Sequence, residues 1–142
     1  MKAKVYIVED HRDMRESLRK LLEYEGDLEV CGDASSIHKA LEGIQSTSPD
    51  LALVDLELGQ HTGMDLIAQL KQNSIKVPVL ILSMHSETLY AEPTIYQGAR
   101  GYLMKSVPPD EIVHAVRQVL KGNIYRSSSM IQRLQSQERI IP

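Results

Sequence analysis

Five short apolar segments, each followed by a stretch with helical spacing, constrain this chain more than any other feature. "KVYIV" at 4–8 reads as a strand, and Met14, Leu18, Leu21 and Leu22 then share one helical face. "LEVCGDA" gives a second strand, and Ser35 or Ser36 can cap a helix that aligns Ile37, Ala40, Leu41 and Ile44. "LALVDLEL" is a third strand entering a loop with Gly59 and Gly63, before Leu66, Ile67 and Leu70 mark a third helix. "VPVLILS" is a continuous apolar run of the kind buried on both faces of a sheet. A weaker helical pattern precedes Gly98. Proline suits the first turn of a helix and not its interior, so Pro93 predicts that this helix starts late or kinks. "GYLM" is a fifth strand, and "PPDEIVHAVRQVL" a helix with proline in its first turn and Gly122 closing it. Such alternation implies an α/β domain, a doubly wound parallel sheet with helices on both faces. In that architecture ligands bind beyond the carboxyl ends of the strands.

Bulk properties exclude several classes. The 142 residues suffice for one domain and are too few for two full ones. A net charge of −3 gives no general electrostatic reason to bind nucleic acid or an anionic membrane. The single cysteine, Cys31, cannot form an internal disulfide, which fits a cytoplasmic location. No apolar run is long enough to span a bilayer, and the apolar run after Lys2 and Lys4 is cut by Glu9 and Asp10 before it can form a signal sequence.

The residues just after each strand carry the chemistry. Strand one ends in Glu9 and Asp10, strand three in Asp55, strand four in Ser83, and Lys105 follows strand five. A parallel sheet gathers them on one edge. Three carboxylates, a hydroxyl and an ammonium in one crevice suit a hard divalent cation, Mg²⁺, together with a phosphoryl group. Each residue alone has a plainer reading. Glu9 and Asp10 suit a helix N-terminus, Lys105 a solvated surface, Ser83 a cap, and Tyr102 a core position. Their joint placement at successive strand ends favours the shared site. His11, His61 and His85 lack ligand spacing and are read as non-metal, while His38 and His114 belong to helix surfaces.

Glu9–Asp10, Asp55 followed eight positions later by Gly63, Ser83, and "GYLMK" with Tyr102 and Lys105 together resemble the receiver domain of a two-component response regulator, over about residues 3 to 122. "LSMHSE" and "QGARGYLMKS" look most like the LuxR/NarL-type branch, whose members usually carry a DNA-binding helix-turn-helix after the receiver. The resemblance implies a flavodoxin-like (βα)5 sheet of strand order 2-1-3-4-5. It implies a phosphoacceptor and not an enzyme in the ordinary sense, with Asp55 receiving a phosphoryl group from a sensor histidine kinase. Asp10, Asp55 and the backbone carbonyl of Glu57 would hold Mg²⁺, with Glu9 acting directly or through water. Lys105 and Ser83 would engage the phosphoryl group, and Ser83 with Tyr102 would switch the surface of the fourth helix, fifth strand and fifth helix. The same likeness implies a homodimer on phosphorylation and DNA contact only through an output domain that 142 residues cannot include. A stand-alone receiver acting in a phosphorelay or by protein–protein contact is the alternative.

Rival functions meet specific obstacles. A flavin or nucleotide binder of this fold needs a Gly/Ser-rich turn after strand one, where "EDHRD" stands. A haloacid-dehalogenase-type phosphatase needs Asp-x-Asp on its first strand. Two departures bear on the lifetime of a phosphoryl state: Gly59, where many receivers have proline, is expected to loosen the loop over the site, and Met84 to restrict access. Residues 1–122 are thus expected to form the receiver and 123–142 a serine-rich linker with a short helix. Met130, Ile131 and Leu134 would let that helix dock on its own domain, pair with a second chain, or stay loose.

Overall fold

The computed structural model describes residues 2–140, among which five parallel strands form one sheet. The elements in order are β1 (Ala3–Val8), α1 (Arg12–Glu23), β2 (Leu28–Ala34), α2 (Ile37–Thr47), β3 (Leu51–Asp55), β4 (Glu57–Leu58) and β5 (His61–Thr62). They continue with α3 (Gly63–Gln72), β6 (Val79–Ser83), α4 (Glu87–Tyr96), β7 (Gly101–Met104), α5 (Pro109–Leu120) and α6 (Ser128–Ile140). The sheet order is β2-β1-β3-β6-β7. With the small antiparallel pair β4–β5 set aside, this is the expected order 2-1-3-4-5.

Alternation along the strands divides the core in two. Val5, Ile7, Leu51, Leu53, Leu80, Leu82 and Leu103 face α1 and α5, which contribute Leu18, Leu22, Ile112, Val116 and Val119. Tyr6, Val8, Ala52, Val54, Ile81 and Tyr102 face the other way, toward Ile37, Ala40 and Ile44 of α2, Leu66 and Leu70 of α3, and Ala91 of α4. Both faces of the sheet are dry, so the strands read as unbroken apolar runs. Pairing register sets their ends side by side: Val8 lies beside Val54, Asp55 beside Leu82, and Ser83 beside Met104.

Side-chain caps start α2, α3 and α4. Ser36 caps α2 through the Lys39 amide, and Thr62 and Asp65 form a reciprocal capping box on α3. The expected late start of the fourth helix is corrected. It begins at Glu87, capped by Ser86, and Pro93 sits inside it, seventh of ten residues. Proline there offers no N–H to the Leu89 carbonyl, a loss tolerated on a side of the helix where Leu89 is exposed. Burial in α4 is slight, confined to Ala91 and Thr94.

Gly59 also behaves differently from expectation. It stands at φ +63° in the two-residue turn between β4 and β5, a conformation closed to proline, and its N–H donates to Asp10 Oδ2 at 3.2 Å. The turn is tight and tied to the site.

The tail folds back on its own domain. Tyr125 forms a parallel bridge to Gly101 at the open edge of β7, donating its N–H to the Arg100 carbonyl at 2.9 Å. A Cβ on residue 101 would stand 2.9 Å from that of Tyr125 and 2.8 Å from Leu80 Cδ1, so the approach requires glycine. Tyr125 Oη donates to Glu111 of α5 at 2.7 Å, Arg126 makes two hydrogen bonds to Glu92 of α4, and Ser127 Oγ donates to Glu87. Met130 is buried in the same cluster as Ala91 and Tyr102, while Ile131 is exposed. No helix among the described residues is long and apolar enough to cross a membrane.

Candidate functional site

The carboxyl ends of β1, β3, β6 and β7 deliver the groups that the sequence singles out. Glu9 and Asp55 are buried at the ends of β1 and β3, and the Lys105 ammonium lies between them, 2.8 Å from Glu9 Oε1 and 3.0 Å from Asp55 Oδ2. Asp55 Oδ1 accepts the Glu57 N–H at 3.1 Å. Asp10 is partly exposed beside them, held by the Gly59 amide. Arg15 donates to the Glu9 carbonyl and fixes the turn into α1.

Charge is unevenly satisfied here. One ammonium serves two buried carboxylates, and Glu9 Oε2 and Asp10 Oδ1 have no hydrogen-bond partner. Burial, reinforced by the neighbouring Asp55, pushes the Glu9 carboxyl up to about 8, against the opposing pull of Lys105. The Lys105 ammonium moves up as well. Burial alone would lower it, but hydrogen bonds to Glu9 and Asp55 outweigh that cost. Glu9, Asp10 and Asp55 each present an oxygen within 4.8 Å of the others, as does a nitrogen of His11. A hard cation with oxygen ligands would answer the two unpartnered oxygens, so the residues present fit Mg²⁺. Glu57 stands apart by its side chain. Its carboxylate is exposed and lies 3.3 Å from His85 Nε2, outside the cluster of Glu9, Asp10 and Asp55.

Ser83 and Tyr102 meet at the backbone of one residue, His85. Ser83 Oγ, fully buried, accepts the His85 N–H at 2.9 Å, and Tyr102 Oη donates to the His85 carbonyl at 2.9 Å. The next residue, Ser86, caps α4. Met84 is exposed at the rim of this loop.

Sequence reasoning set His11 and His85 aside, yet both stand at the site. His11 Nδ1 is 3.1 Å from Asp10 Oδ1, and the His85 ring packs against Tyr90 at 4.9 Å. Direct succession to the acid pair was the one available signal for His11; for His85 it was the position two residues after Ser83. His61 faces Asp65 on α3, and His38 and His114 are exposed on helices.

A doubly wound sheet with an acid pair, a central aspartate and a lysine on one edge defines the class of protein. The response regulator receiver domain matches residues 5–117, and the chain belongs to that family. Its relatives are of the LuxR/NarL type. The chain is 32% identical over 124 residues to the transcriptional regulatory protein DegU of Brevibacillus brevis, an alignment covering 87% of this chain and 52% of that one. A two-component response regulator of the LuxR family from Aurantimonas superposes with a TM-score of 0.88 at 29% identity, over 99% of both chains. The receiver domain of the response regulator NarL from Mycobacterium tuberculosis gives 0.80 at 33% identity, over 86% of this chain and 98% of that one. The chain spans between about half and two thirds of the length of the curated relatives it matches.

Proposed function

We propose that this domain accepts a phosphoryl group on Asp55 from a sensor histidine kinase. The observation that carries the reading is the Lys105 ammonium bridging Glu9 and Asp55, beside two buried carboxylate oxygens that accept no hydrogen bond. A carboxylate oxygen of Asp55 forms a new P–O bond as the P–N bond of a phosphohistidine breaks, and the leaving imidazole keeps the electron pair. Two anions must meet for this. Lys105 lowers that repulsion and then holds an oxygen of the bound phosphoryl group. Mg²⁺ held by Asp10, Asp55 and the Glu57 carbonyl, with Glu9 direct or through water, would neutralise charge on the transferring oxygens.

Ser83 can donate its hydroxyl to the arriving phosphoryl oxygen. Moving toward it strains the bond that Ser83 Oγ accepts from the His85 N–H, and Tyr102, bonded to the carbonyl of the same residue, follows. The surface of α4, β7 and α5 is then the output. In this reading residues 1–122 are the receiver and 123–142 the linker to an output domain outside this chain. A DNA-binding domain of the LuxR type would make the full protein a cytoplasmic transcription regulator, acting as a homodimer on phosphorylation.

Intact-mass measurement with acetyl phosphate and Mg²⁺ tests the assignment. Wild type should gain one phosphoryl group and Asp55→Asn none. Equal phosphorylated fractions in the two would refute it.

A further inference from the structure

We propose that residues 125–130 are a latch on the α4–β7–α5 face, which phosphorylation of Asp55 loosens; the latch rests on the phosphoacceptor reading and adds its regulation. The face already has an occupant. Tyr125 extends the sheet at the open edge of β7, Arg126 grips Glu92 with two hydrogen bonds of 2.7 and 2.9 Å, Ser127 holds Glu87, and Met130 closes over the apolar cluster containing Ala91.

The helix that receives these contacts packs on β7 but buries little of itself. Only Ala91 and Thr94 of α4 are buried, Pro93 removes an internal hydrogen bond, and Leu89 and Tyr96 are 69% and 93% exposed. The clasp on Glu87 and Glu92 therefore adds to the packing of α4 on β7 in fixing the helix in place. Its first residue, Glu87, lies two positions beyond His85, whose backbone N–H and carbonyl are tied to Ser83 and Tyr102. A displacement at Ser83 reaches the Ser127–Glu87 bond through three residues of chain.

Two consequences follow from this arrangement. A second copy can pair through α4, β7 and α5 only after the tail leaves, so the latch keeps the unphosphorylated face closed. Coupling is also reciprocal: whatever weakens the latch makes the phosphorylated conformation easier to reach, by up to the same factor.

Hydrogen exchange on the full chain, with Mg²⁺ and beryllium fluoride as the phosphoryl mimic, reads both ends. The amides of Tyr125, Met130 and Ile131, which donate to Arg100 O, Ser127 Oγ and Ser127 O, should exchange at least about fivefold faster with the mimic. Arg126→Ala should accelerate them about fivefold without it and tighten beryllium fluoride binding by up to the same factor. If amides 83–87 respond to the mimic while 125–131 do not, the latch is refuted and the phosphoacceptor reading stands. Faster exchange in Arg126→Ala with unchanged mimic affinity would reduce the tail to a static clasp and equally overturn the inference. Silence at both segments, with no mass gain from acetyl phosphate, would remove the phosphoacceptor reading and the latch with it.

Discussion

Glu9→Gln should make the metal-free fold more stable at pH 8 and change it little at pH 5. Glu9 is 1% exposed, its Oε2 has no partner, and its carboxyl is raised from an ordinary 4.5 to about 8. An acid raised in this way binds its proton more tightly folded than unfolded. The folded state is thus favoured below pH 4.5, and that advantage drains away as pH climbs toward 8. Each pH unit in the interval is worth roughly 1.4 kcal/mol, so the loss at pH 8 has a ceiling of about 4 kcal/mol. Relaxation of the crevice and entry of water bring the expected value to on the order of 2 kcal/mol. Glutamine removes the charge, keeps an oxygen for Lys105, and turns an amide toward the remaining carboxylates. The gain from Glu9→Gln should therefore grow from under about 1 kcal/mol at pH 5 to on the order of 2 kcal/mol at pH 8. Urea denaturation followed by far-ultraviolet circular dichroism with a chelator present measures it, since the chain has no tryptophan. A gain independent of pH, or none at pH 8, would refute the argument that this carboxylate is held at a cost to the fold.

Two further outcomes are expected. Asp10→Ala should abolish Mg²⁺ binding in calorimetry while Glu57→Ala retains it, because the Glu57 side chain points to His85 and alanine keeps the backbone carbonyl; a large loss in Glu57→Ala would make that carboxylate a ligand. Gly59→Ala should cost about 1 kcal/mol in urea denaturation, the usual penalty for a side chain at positive φ; no loss would mean that the turn between β4 and β5 is not held as described.

The sheet and the edge residues were legible because a parallel sheet leaves little freedom. Once five strands alternate with helices, the residues after each strand must lie together, and Glu9, Asp10, Asp55 and Lys105 do. Other features left no trace in the pattern. Two-residue strands such as Glu57–Leu58 and His61–Thr62 have no periodicity to detect. The expected late start of α4 failed because a helix with so little burial can forgo a hydrogen bond on its exposed side, which propensity alone does not reveal. The Arg126–Glu92 pair joins residues 34 apart, and both are ordinary surface types in sequence. Ser83 and Tyr102 were recognisable as side chains. Their meeting point was not, since it consists of backbone atoms of His85.

That meeting point has a consequence for how such a domain can diversify. Because Ser83 and Tyr102 hold the N–H and carbonyl of residue 85, the link into α4 that the proposed switch would use does not depend on which side chain residue 85 carries. The imidazole is free to face Glu57 and Tyr90. Transmission and tuning thus share one residue without sharing any atoms. Mutational drift at position 85 can alter the side-chain contacts with Glu57 and Tyr90 while leaving both backbone hydrogen bonds intact, with proline barred because it has no N–H to give Ser83.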